Sequence, residues 1–162
     1  MTYVIKIISG GQAGVDQAAL DAAITLNIDY GGWCPPGRIC EAGKIPIHYQ
    51  LKETPKERSD RAPDIPRSLR TEWNVRDADA ILVLKPAHGH PDNGTAWTIQ
   101  CAEHYGKPYL IMDPYKDDAA KITDWLIANK IKTLNVAGPG EKACPGIGIQ
   151  SYKFLIRAFD NL

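Results

Sequence analysis

No sign of charge prevails in this chain of 162 residues: Lys and Arg number 19, Asp and Glu number 19, and the formal charge is zero. A protein that holds nucleic acid or an anionic membrane by its bulk field needs a cationic excess, so neither partner is expected, and any anionic ligand must be gripped locally. Long apolar runs are also missing, with nothing approaching the roughly 20 residues of a membrane span. The opening residues, Met1-Thr2-Tyr3-Val4-Ile5-Lys6-Ile7-Ile8-Ser9, show no basic stretch followed by a long apolar core and a cleavage site, so a cytoplasmic chain is expected. Cysteines are few, at 34, 40, 101 and 144, and a chain of this size needs no disulfide staples, so they read as free thiols. Neither His88-Gly89-His90 nor the spacing of Cys34 and Cys40 supplies two matched ligand pairs, and no metal site is expected. There is no low-complexity tract, no internal repeat beyond a βα unit, and no Ser-His-Asp pattern of nucleophile-elbow type. The residues do not by themselves demand catalysis.

What is present points to a globular core. Hydrophobic residues make up 44% of the chain, and its length matches about one domain, so a single domain over residues 1–162 is expected. Val4 to Ile8 is apolar and β-branched apart from Lys6. Ser9-Gly10-Gly11-Gln12-Ala13-Gly14 breaks that pattern, and Val15, Ala18, Ala19, Ala22, Ala23 and Leu26 then share one helical face. Strand, glycine loop and helix follow in that order. The order recurs with a buried strand over 80–84, a loop from Lys85 to Asn93 and a helix over 94–105. Further along, the pattern predicts a strand over 108–112, a helix over about 118–129, a strand over 133–137, another glycine and proline loop, and a last helix near 149–159. Short apolar strands alternating with helices imply right-handed crossovers and a mainly parallel sheet covered on both faces, an α/β, three-layer Rossmann-like fold. Residues 34–66 interrupt this with six of the twelve prolines and no clean periodicity, a long loop of the kind that covers a site or meets a partner.

Three loops carry the candidate chemistry. The first, Gly10-Gly11-Gln12-Ala13-Gly14 with Val15 and Asp16, opens a helix whose orphan N–H groups and positive dipole end suit a phosphate. Its spacing is neither G-x-G-x-x-G nor a Walker loop, and neither a standard dinucleotide site nor an ATPase is supported. Asp16 suits the dipole but would repel a phosphate beside it. The second, His90-Pro91-Asp92-Asn93-Gly94-Thr95, precedes a helix on which Thr95 and Thr98 lie three apart and can face one side. The third, written from Asn135 through Gly146 and containing Gly138, also follows a strand. In a parallel sheet all three open at the carboxyl edge, where ligands bind. Trp33 offers an indole for stacking, and Arg38 and Arg70 offer guanidinium forks for an anion.

The strings Gly-Gly-Gln-Ala-Gly-Val-Asp at 10–16, Gly-Trp-Cys-Pro-Pro-Gly-Arg at 32–38, Arg-Thr-Glu-Trp-Asn-Val-Arg-Asp at 70–77, Gly94-Thr95 with Thr98, and Leu-Asn-Val-Ala-Gly-Pro at 134–139 resemble, in order, the family named putative molybdenum carrier, the circularly permuted YpsA branch of the SLOG superfamily. The resemblance implies a Rossmann-like fold shared with molybdenum cofactor carriers and the LOG phosphoribohydrolases. It also implies a homo-oligomer and a pocket for a phosphorylated small molecule, a nucleotide or the molybdenum cofactor. Its motifs put Thr71 and Asn74 beside Arg70, and Asn93 beside Gly94, among the ligand-binding candidates. LOG enzymes carry Pro-Gly-Gly-x-Gly-Thr-x-x-Glu, and their Glu helps cleave an N-glycosidic bond; this chain has His90-Pro91-Asp92 before Asn93-Gly94-Thr95 and Thr98 in place of that Glu. Ala13 stands where relatives usually have Thr or Ser. A binding protein is the leading expectation. The alternative is a nucleotide N-glycosidic hydrolase with Asp16, Glu53 or Glu72 as its carboxylate.

Overall fold

The structure, a computed structural model, describes residues 6–87 and 93–160. Val4 and Ile5 of the expected first strand, the His88-Gly89-His90 pair and the His90-Pro91-Asp92 part of the second loop lie outside the described residues.

The chain runs β1 (Lys6–Ile8), α1 (Val15–Thr25), β2 (Asp29–Gly31), β3 (Trp33–Cys34), a 3-10 turn over Pro36–Arg38, β4 (Ile39–Cys40), β5 (Gly43–Lys44), β6 (Lys52–Glu53) and α2 (Ser68–Arg76). It continues through β7 (Ala80–Leu84), α3 (Asn93–His104), β8 (Tyr109–Met112), α4 (Ala120–Ala128), β9 (Thr133–Ala137) and α5 (Ile147–Phe159). Five strands form one sheet in the order β2-β1-β9-β7-β8, and every pairing in it is parallel. Strand β7 is buried along its whole length, because a parallel sheet with helices on both faces leaves neither side of a central strand wet.

Side-chain alternation sorts the helices into two layers. Ile7, Leu82, Leu84, Leu134 and Val136 point to one face and pack with α1, α4 and α5, whose buried positions include Val15, Ala19, Ile122, Leu126, Phe154 and Leu155. Ile81 and Val83 point to the other and pack with Val75 of α2 and with Trp97, Cys101 and Ala102 of α3. The result is a three-layer Rossmann-like α/β architecture. Burial pushes the Cys101 thiol up to about 12, with Glu72 adding to the effect, so this cysteine behaves as a core residue.

Two elements differ from the sequence expectation. Strand β2 has only three residues, and α2 buries Ser68, Thr71, Glu72 and Asn74, so its inward face is largely polar and leaves no apolar period. Residues 135–137, expected as the start of the third loop, belong to β9. The proline-rich stretch is threaded by β3 paired with β6 and by β4 paired with β5. It gathers Cys34, Cys40, Ile45 and Tyr49 around Leu20 of α1 as a small second core.

Candidate functional site

From β1 the chain moves outward to β2, and from β7 it moves outward the other way to β8, with β9 seated between β1 and β7. The carboxyl edge of those three central strands is therefore the switch point of the sheet, where the departing loops splay apart and leave a crevice. A cleft of about 630 Å³ opens there, within the usual range for small-molecule sites. Gly10, Gln12 and Asp16 line it from the first loop, Lys85 to Ala87 follow β7, and Asn93 to Ala96, Thr98 and Ile99 come from the start of α3. Asn135 to Gly140 form its base, and Arg67, Arg70, Thr71 and Asn74 of the α2 region make a wall. Positions 70, 71 and 74 share one face of α2, and Arg67 stands just before its first turn. Glu41, Ile65 and Pro66 bring the proline-rich stretch to the rim.

Two of the expected ligand groups hold each other. Arg70 Nη1 donates to Asp16 Oδ2 at 2.8 Å, and the Gln12 backbone N–H reaches the same oxygen at 3.3 Å. Burial raises the Asp16 carboxyl above the usual range, and the Arg70 charge together with the hydrogen bonds of Gln12, Arg70 and Ser9 opposes that rise without cancelling it. Gly10 makes room for the pair, since a Cβ there would run into the Arg70 guanidinium and lie 3.0 Å from Asp16 Oδ2. Arg70 Nε is buried with no hydrogen-bond partner. Part of the arginine's donor capacity thus remains uncommitted beside the cleft.

The first and third loops are zipped together. Val15 donates its N–H to the Pro139 carbonyl at 3.3 Å, Glu141 donates to the Ala13 carbonyl at 2.8 Å, and Gly14 and Gly140 form an antiparallel bridge. Gly14 has φ 121°, and a Cβ there would sit 2.7 Å from the Pro139 oxygen. Gly138 is equally confined, because its Cβ would strike the Leu84 carbonyl and the Val15 side chain. These glycines let three backbones converge.

The remaining expected residues fall in different places. Gly11, Ala13 and Gly14 do not line the cleft, and a Cβ on Gly11 would meet Leu51 and Ile45 of the proline-rich stretch. Trp33 lies outside it as well, edge-on to Trp73 at 4.8 Å with its indole N–H donating to Asp77 at 2.8 Å. Asn74 grips the Trp33 backbone from both sides, accepting its N–H at 2.8 Å and donating to its carbonyl at 2.9 Å. Arg38 spends Nη2 on the carbonyls of Pro46 and Tyr49. Glu53 accepts the Gly37 N–H. Glu72 is buried under hydrogen bonds from Ser59 and Tyr105. Burial acts against its charge, but those two donors with Arg61 and His104 outweigh it, and the carboxyl sits below the usual range. Thr98 turns its hydroxyl back onto the Gly94 carbonyl at 3.0 Å.

Other cleft residues were not among the ligand-binding candidates. Lys85, exposed at the end of β7, brings a cation to the mouth. Arg67, in the left-handed region at φ 57°, reaches Glu41 at 3.2 Å while its buried Nε has no partner. Asn135 is 3% exposed in the middle of the sheet. A carboxamide inside a central strand is the sequence signal that could have found it, since such strands rarely tolerate Asn.

Comparison with known proteins agrees with this architecture. No curated protein matches the chain. A solved structure from Syntrophus aciditrophicus SB, a "Putative molybdenum carrier protein", is 40% identical and superposes with a TM-score of 0.85, covering 98% of this chain and 96% of its own. The model of the circularly permutated YpsA SLOG family matches residues 7–159. With the match spanning nearly the whole chain, this protein belongs to the circularly permuted YpsA branch of the SLOG family.

Proposed function

We propose that the protein holds a phosphorylated small molecule, a nucleotide or the molybdenum cofactor, in the switch-point cleft and acts as a carrier-like binding protein. The observation that carries this reading is the convergence of Lys85, Arg67 and Arg70 with the N-terminus of α3 on one concave space. Asp16 and Glu41 offset Arg70 and Arg67, so the net pull on an anion comes from Lys85 and the dipole of α3. The Asp16 carboxylate already occupies the Gln12 N–H, so the anion belongs toward Lys85 and α3, away from the first loop. The relative's name as a molybdenum carrier fits a cargo of this kind. Among the described residues no group of three His, Cys, Asp or Glu is placed to ligate a metal.

Binding is favoured over hydrolysis by the placement of the three carboxylates. Of Asp16, Glu53 and Glu72 only Asp16 lines the cleft, and it is engaged with Arg70. A panel of nucleoside monophosphates and a pterin phosphate, followed by thermal unfolding and by chromatography for released base, tests the reading. At least one ligand should raise the melting temperature without product. Base release that disappears in Asp16→Asn would replace the carrier with the hydrolase.

A further inference from the structure

Along β9, Leu134 and Val136 join the core beneath α1, α4 and α5, so the intervening Asn135 faces the α2 and α3 side. Its register partners are Ile8 of β1 and Ile81 of β7, and its carboxamide therefore rises between two aliphatic neighbours on the same face. It is 3% exposed, it lines the cleft, and it has no hydrogen-bond partner among the described residues. Thr71, 9% exposed, lines the same cleft with its hydroxyl likewise without a partner among them, and Arg70, its neighbour in α2, carries the unpartnered Nε. Arg70 Nε is sealed from solvent, while the Asn135 amide and the Thr71 hydroxyl line the cleft, so polar groups without a protein partner border one volume that can receive a polar ligand.

We propose that Asn135 reads the edge of a planar nitrogen heterocycle in the bound molecule, the ring of a purine or a pterin, with Thr71 supporting it. The inference rests on the binding reading above. A carboxamide presents a donor and an acceptor side by side, which matches any ring edge carrying an amino group or ring N–H next to a ring nitrogen or carbonyl oxygen. Guanine and pterin share such an edge in their amino-oxo-pyrimidine ring, and adenine has another. A sugar phosphate without a base has none. Asn135 lies two residues before the end of β9, below the carboxyl-edge loops, so the ring lies deeper than the phosphate.

The test compares wild type with Asn135→Leu, which keeps the number and branching of side-chain heavy atoms and suits the aliphatic neighbours. Binding is measured by calorimetry for GMP, AMP, a neopterin phosphate and ribose 5-phosphate, and melting temperature is measured without ligand. Wild type should prefer at least one ring-bearing ligand over ribose 5-phosphate. The variant should bind that ligand about tenfold more weakly, as expected for one lost hydrogen bond in a dry site, while keeping its affinity for ribose 5-phosphate. Because the amide makes no protein hydrogen bond, the unliganded variant should melt no lower than wild type. Which ring suffers the loss separates a purine from a pterin. Equal losses for all ligands, no loss for any, or a lower melting temperature would overturn the role of Asn135 and leave the binding reading standing. Wild type binding none of the four would remove the binding reading and this inference together.

Discussion

Glu72 shows how a buried carboxylate in this protein serves the wall of the site. Its oxygens take hydrogen bonds from Ser59, in the proline-rich stretch, and from Tyr105, just beyond α3, so a single residue of α2 ties both to the helix that carries Arg70 and Thr71. Because its folded pKa is depressed, it stabilises the fold above the ordinary glutamate range, and that contribution is lost as pH falls through the folded value. Glu72→Gln should cost about 1–2 kcal/mol at neutral pH, and the gap to wild type should close in acid, as read from urea unfolding across pH. Asp16 behaves differently, because burial raises its carboxyl. Asp16→Asn leaves the Arg70 guanidinium without its carboxylate but removes a charge that burial disfavours, so it should cost less than the about 3 kcal/mol of a broken buried pair in the same assay. Partners 54 residues apart, such as Asp16 and Arg70, leave no trace in local spacing. Each looked like a ligand group in the sequence because either one alone would be.

At the scale of elements, legibility followed burial. Strands β7 and β9 emerge with their observed ends, since central parallel strands are apolar and sharply bounded. Helix α2 hides because it buries hydroxyls, an amide and a carboxylate where a helix usually buries leucines, and those same residues build a wall of the cleft. The glycine loops are legible as loops at one sheet edge, but their glycines divide into those that face the cleft and those that bring backbones together. Gly14 is of the second kind. With φ 121° and the Pro139 oxygen 2.7 Å from a would-be Cβ, Gly14→Ala should cost about 3 kcal/mol or more by urea unfolding and weaken ligand binding by parting the first and third loops. Gly43, at φ 111° with nothing within 4 Å of a Cβ, should lose only the backbone part of that penalty.

For the whole molecule, the balance of 19 cationic and 19 anionic side chains means that the proposed binding would draw its affinity from local donors. Raising salt from 0.05 to 0.5 M should therefore weaken the binding of a nucleoside monophosphate by less than about tenfold, well short of the roughly 10³–10⁵ losses of proteins that hold polyanions through many phosphate contacts. Among the described residues no helix is long and apolar enough to cross a membrane. The last strand of the chain, β9, occupies the middle of the sheet and carries Asn135, while the first loop and the third close over the same edge, so site and fold depend on both ends of the sequence meeting. The central claim, that this meeting place holds a phosphorylated small molecule, is tested most directly by native mass spectrometry of the protein incubated with millimolar purine nucleotides and pterin phosphates. A phosphate-bearing adduct at close to one per chain is expected, diminished in Asn135→Leu for the ring it reads. A bare chain under every ligand would contradict the claim.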